Sequence, residues 1–176
     1  MIGILPGTFN PPTVAHLEMA EVARRQAALD HLDFVLSRVS LGKEDLVRPT
    51  VDERAAVLRE VAATRPWIGV RICDAQLVSD LAEGYDVLVV GADKWRQLLD
   101  PSYYDSVATH ETALAKLPPR VLVAPRDGDV PDLPTGAELL DIREETTRVS
   151  STRVREGHTH LMLPEAAASR LWERPS

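Results

Sequence analysis

Residues 1–16 read MIGILPGTFNPPTVAH, and the order of events inside that stretch decides the fold. Residues 1–5 form an apolar run of strand length, and Pro6 with Gly7 ends it. From Thr13 onward Leu17, Ala20, Ala23 and Ala27 recur near the helical period, while Glu18, Glu21, Arg24 and Arg25 can face water. A strand that feeds a helix in this way opens a parallel sheet joined by crossover helices. Further strands are predicted at 32–36, 69–73 and 120–124, and a last one at 138–142. Residues 86–90, DVLVV, read as a strand buried on both faces and stopped by Gly91. Thr50 and Glu53 form a capping-box signal before the run through Leu58 and Ala62. A short helix is predicted at 151–156, and Pro164 occupies the favoured first position of a C-terminal helix. The expected fold is α/β, an open parallel sheet of about five strands flanked by helices, with a C-terminal helical segment.

The bulk composition bounds what such a domain does. A chain of 176 residues is sized for one domain, 1–176, with 44% hydrophobic residues but only 5% aromatics, so Leu, Val, Ala and Ile must build the core. A formal charge of -7 argues against a nucleic-acid or anionic-membrane binder, and a phosphate ligand would require locally concentrated positive groups. The single cysteine, Cys73, has no partner for a disulfide or a cysteine-based metal site and reads as a small core residue. No run approaches the roughly 20 apolar residues of a membrane span, so a cytoplasmic protein is expected.

Two segments carry chemistry. In the first, the turn after the opening strand lies where ligands bind in open parallel sheets. Gly7 lets the backbone approach a phosphate, and the following helix start offers unpaired N–H groups. Thr13 and His16 are one helical turn apart and share a face. The plainer reading makes Thr13 a cap and His16 an ordinary helical residue. In the second segment, residues 149–155 read VSSTRVR, where Ser150, Ser151 and Thr152 are natural N-cap residues and Arg155 follows within reach of the same anion. That stretch read alone is also compatible with a simple cap and a solvated arginine. His158 and His160 sit in GHTH without carboxylate neighbours and read as loop residues.

Together, GTFNPPTVAH and VSSTRVR resemble the two motifs of the nucleotidylyltransferase superfamily, GxFxPxHxGH and ISSTxIR, in the same order and near the same ends of the chain. Gly91, Ala92 and Asp93 are similar to the Gly-Ala-Asp turn of nicotinamide and nicotinic acid mononucleotide adenylyltransferases. The resemblance implies a Rossmann-like fold and transfer of AMP from ATP to the phosphate of a pyridine mononucleotide, with pyrophosphate leaving. It implies catalytic roles for His16, Thr13, Lys43 and Arg155, with His16 on the α-phosphate. Thr13, Ser151, Thr152 and Arg155 would hold the β- and γ-phosphates. Gly7, Thr8, Phe9, Asn10, Gly91, Asp93, Arg126, Val149 and Ser150 would complete the nucleotide site, and Lys43 and Trp95 would face the acceptor. Magnesium would arrive through the triphosphate, with no protein metal site, and the partners would be ATP and a phosphorylated small molecule, with a homo-oligomer left open.

The match departs from the commonest pattern where Thr13 replaces a histidine and Ala15 a glycine. Asn10 and Thr13 look similar to the eukaryotic-type mononucleotide enzymes. Ala75, Gln76, Leu77 and Val78 stand where bacterial nicotinic acid mononucleotide enzymes carry Ser-Tyr-Thr, and SLGKED around Lys43 lacks the family's prolines. Other readings are a transferase of the same fold using CTP or another acceptor such as phosphopantetheine, and a nucleotide-binding regulatory module without catalysis.

Overall fold

The computed structural model describes residues 1–38, 48–127, 132–134 and 136–173. Six strands form one sheet: β1 Ile2–Pro6, β2 His31–Ser37, β3 Ile68–Cys73, β4 Val87–Gly91, β5 Arg120–Ala124 and β6 Ala137–Leu139. All neighbours pair in parallel in the order β3-β2-β1-β4-β5-β6. The sheet therefore reverses its winding between β1 and β4, which opens a crevice beyond their carboxyl ends. All six predicted strand segments form strands, one more than the rough total of five expected for the sheet. That last strand is shifted from 138–142 to 137–139, because the chain bends back where the Ile142 N–H donates to the Leu140 carbonyl.

Alternation along β4 explains why its sequence is apolar throughout. Val87 and Val89 enter one core with Leu32, Phe34 and Leu36, while Leu88 and Val90 enter a second with Ile4, Val35 and Val123. Helices α1 (Val14–Gln26) and α2 (Val51–Ala63) cover the first face, and α3 (Val78–Leu81) and α4 (Ala92–Leu99) cover the second. Helix α5 (Val107–Ala115) follows α4 and leads into β5. No helix among the described residues is long and apolar enough to cross a membrane.

Sequence-encoded caps set the helix starts. Thr50 accepts from the Glu53 N–H at 3.2 Å, and Glu53 accepts from the Thr50 N–H at 2.6 Å, completing the predicted capping box. After β6 come α6 (Glu144–Thr147), α7 (Ser151–Arg155) and α8 (Pro164–Ser169). Glu18 of α1 draws α6 inward: its carboxylate accepts from Arg143 Nη2 at 2.6 Å and from Thr146 Oγ1 at 2.6 Å. Burial pushes the Glu18 carboxyl up, but the hydrogen bonds from Arg143 and Thr146 outweigh it and hold the group at about 2. A helix at the front of the chain is thus clamped to the segment that delivers α7.

Candidate active site

The crevice between β1 and β4 is a cleft of about 420 Å³, within the usual range for small-ligand sites. Both sequence motifs border it. Gly7, Thr8, Thr13 and His16 come from the β1–α1 turn, and Val149, Ser150, Ser151, Thr152 and Arg155 from the start of α7. Gly91, Asp93 and Arg126 contribute from the ends of β4 and β5. Lys94, Arg126 and Arg155 make the wall cationic, with Asp93 the one carboxylate among its described residues. In a chain of net charge -7, this lining carries an excess of positive groups.

Backbone shape in the first motif is set by Phe9, which takes a left-handed φ of 46° and buries its ring completely. That ring lies 4.9 Å from His16 and 5.2 Å from Phe34, centroid to centroid, and so supports the imidazole from below. A Cβ on Gly7 would stand 3.1 Å from the Phe9 ring, which gives the glycine its reason. Thr13 caps α1, and its backbone N–H donates to His16 Nδ1 at 3.0 Å, with Thr13 Oγ1 2.9 Å from the same nitrogen. With Nδ1 accepting, the proton of the neutral ring resides on Nε2, which makes that edge a hydrogen-bond donor.

The second motif is anchored to the first. Ser150 Oγ accepts from the Arg153 N–H at 3.2 Å and caps α7. Ser151 Oγ donates to the Pro11 carbonyl at 2.8 Å, and Arg155 donates to the Asn10 carbonyl and, at 3.2 Å, to Thr152 Oγ1. Across the cleft, Asp93 pairs with Arg126 at 3.5 Å and with Arg96 at 3.7 Å. Gly91 is the N-cap of α4, so Asp93 stands in its first turn.

Four of the expected site residues are buried, and one falls outside the described residues. Trp95 is 3% exposed, packs in the second core and donates from Nε1 to the Asp132 carbonyl, so it is not a wall of the cleft. Asn10 is 4% exposed, and its side-chain oxygen accepts from Trp172 Nε1 at 2.5 Å, which ties the C-terminal segment to the turn. Phe9 is wholly buried and acts beneath His16. Thr13 has no exposed surface although it borders the cleft, and its backbone N–H and hydroxyl both face His16 Nδ1. Lys43 lies outside the described residues. Cys73 is half-buried, and His158 and His160 are exposed with rings 6.1 Å apart.

The cleft also recruits residues that the motifs do not contain. Ser37 stands at the carboxyl end of β2 and donates to the Ala75 carbonyl at 2.6 Å. Gln76 and Val78 follow β3, and Lys94 and Gln97 lie on α4, with Lys94 Nζ donating to Gln97 Oε1 at 2.5 Å. The signal that finds them is position just beyond a strand's carboxyl end. Among the described residues no group of three His, Cys, Asp or Glu could hold a metal ion.

The cytidylyltransferase-like family matches residues 4–157 of the chain. A probable nicotinate-nucleotide adenylyltransferase of Listeria welshimeri is 27% identical over 179 residues, covering 93% of this chain and 90% of that protein. Proteins of the same description are 34% identical over 83 residues in Salinibacter ruber, covering 45% of this chain and 40% of that protein. In Treponema pallidum the figures are 26% over 125 residues, 62% of this chain and 61% of that protein. Matched along this span, the chain belongs to the cytidylyltransferase-like family and is a nucleotidyltransferase.

Proposed function

We propose that the protein transfers AMP from ATP to the phosphate of nicotinic acid mononucleotide or its amide counterpart, forming a dinucleotide and releasing pyrophosphate. The observation that carries this reading is the convergence of the α1 and α7 starts on one cationic cleft, fastened by Ser151 to Pro11. The acceptor phosphate attacks the α-phosphorus in line, the bond to the bridging oxygen breaks, and pyrophosphate takes the electron pair. Positioning and charge neutralisation drive such a transfer, with no covalent enzyme intermediate.

In this reading His16 donates from Nε2 to an α-phosphate oxygen, a bond that strengthens as charge builds. Ser151, Thr152 and Arg155 hold the β- and γ-phosphates at the α7 start. Asp93 is the one carboxylate among the described residues of the cleft, and magnesium would be carried on the triphosphate, where it would neutralise phosphate charge. At the acceptor end, the Lys94 ammonium, held by Gln97 in a cleft that Gln76 also lines, suits a pyridine carboxylate better than an amide.

Pyrophosphate release, measured across ATP and CTP against several phosphorylated acceptors, tests the assignment. ATP with nicotinic acid mononucleotide should give the highest kcat/KM. A preference for CTP or phosphopantetheine would replace the substrate pair, and nucleotide binding without pyrophosphate from any acceptor would favour a regulatory module. Lys94→Ala should cut the preference for the acid over the amide about tenfold or more, the scale of one charge-assisted hydrogen bond.

A further inference from the structure

Arg54 is the one buried arginine among the described residues, 3% exposed on the inner side of α2. Its guanidinium donates from Nε to the Pro49 carbonyl at 3.1 Å and to the Thr50 carbonyl at 3.3 Å, and from Nη1 to the Thr8 carbonyl. Among the described residues no carboxylate lies within ion-pair distance of it, whereas Arg38, Arg120 and Arg143 each have one at the surface. Burial pushes the guanidinium below its usual value, yet arginine stays charged near neutral pH. A buried charge without a counter-ion is costly, and a neutral donor could serve three carbonyl oxygens.

We propose that Arg54 is a positioning residue whose missing counter-ion is the polyphosphate of the nucleotide, sensed through the Thr8 carbonyl that it holds. Thr8 lines the cleft and follows Gly7 in the turn where the phosphates are placed. Arg54 therefore does two things at once: it fixes the turn that carries the Gly7 and Thr8 backbone, and it sets a standing positive charge behind that turn. In the empty protein the charge is poorly compensated, and bound polyphosphate relieves it. This inference rests on the phosphate-site reading above.

The experiment is titration of the full chain with inorganic pyrophosphate at fixed ionic strength, followed calorimetrically, for the unaltered protein and for Arg54→Met, Arg54→Gln, Arg54→Lys and Arg155→Met. Arg54→Met and Arg54→Gln should weaken pyrophosphate binding about 10- to 100-fold. Arg54→Lys, which keeps the charge, should recover a large part of the loss. If Arg54→Met does not fold, Arg54→Gln carries the same expectation, since its amide keeps a neutral donor near the Nε position, beside the Pro49 and Thr50 carbonyls. A purely structural arginine would lower the melting temperature while leaving pyrophosphate affinity unchanged in the folded variants, and that result overturns the inference. So does a lysine variant that binds no better than the glutamine one. If Arg155→Met weakens binding and the Arg54 variants do not, only the Arg54 inference fails. If the unaltered protein does not bind pyrophosphate, or Arg155→Met has no effect, the phosphate-site reading fails with it.

Discussion

Ser151 Oγ donates to the Pro11 carbonyl at 2.8 Å, joining residues 140 positions apart in the chain. The bond fastens the start of α7 to the turn that leads into α1, and so sets the relative position of the two motifs. Ser151→Ala should cost about 1 kcal/mol of stability, the net worth of one hydrogen bond. Turnover should fall further, about tenfold or more, because small misplacements of phosphate-holding groups are expensive in rate. Paired urea denaturation and initial-rate measurements check this, and an activity loss no larger than the stability loss would count against the coupling.

His16 should matter through its Nε2 edge. His16→Ala is expected to fold normally and to lose about 10²- to 10³-fold in kcat, the scale seen when one transition-state donor is removed. Thr13→Val keeps the backbone N–H that orients Nδ1 and removes only the hydroxyl 2.9 Å away. Its loss in kcat should therefore be the smaller of the two. A Thr13→Val defect equal to that of His16→Ala would assign the threonine a direct role instead.

Gly7→Ala places a methyl group 3.1 Å from the Phe9 ring, which is wholly buried and cannot swing away. Overpacking of this kind costs about 1 to 3 kcal/mol. The turn should also shift, so kcat and stability should drop together. Chemical denaturation with a lowered midpoint and unchanged slope is the expected signature.

Much of this architecture could be read from the sequence because it is locally coded. The apolar run of β4, the capping box at Thr50 and Glu53, and Pro164 at the first position of α8 each depend on neighbours a few residues away. The two helix starts that border the cleft were legible for the same reason, since each carries capping residues. Pairings made by the tertiary fold were not. Asn10 meets Trp172 across 162 positions, and Arg54 meets Thr8 across 46, with no periodicity to announce either. Trp95 follows the Gly91 turn closely enough to suggest a ligand contact, but its place on α4 turns the indole into the core.

Acid should loosen the link between α1 and α6. The Glu18 carboxyl titrates at about 2 in the folded protein against an ordinary value of 4.5, so its contribution is complete above about 4.5 and disappears as pH falls toward 2. The contribution should be on the order of 1 to 2 kcal/mol after allowance for solvent screening of the exposed Arg143 side chain. Glu18→Gln should flatten the stability–pH profile between those limits. Parallel profiles for the two proteins would show that the carboxylate is not held by Arg143 and Thr146 in solution.

The central claim is that one triphosphate spans both helix starts. A crystal structure of the full chain with an ATP analogue that cannot be cleaved between its α- and β-phosphates tests it most directly. The account predicts the α-phosphate within hydrogen-bond distance of His16 Nε2, and the β- and γ-phosphates at the first turn of α7 beside Ser151 and Arg155. A triphosphate that touches only one of the two helix starts, or that lies outside the crevice between β1 and β4, would contradict it.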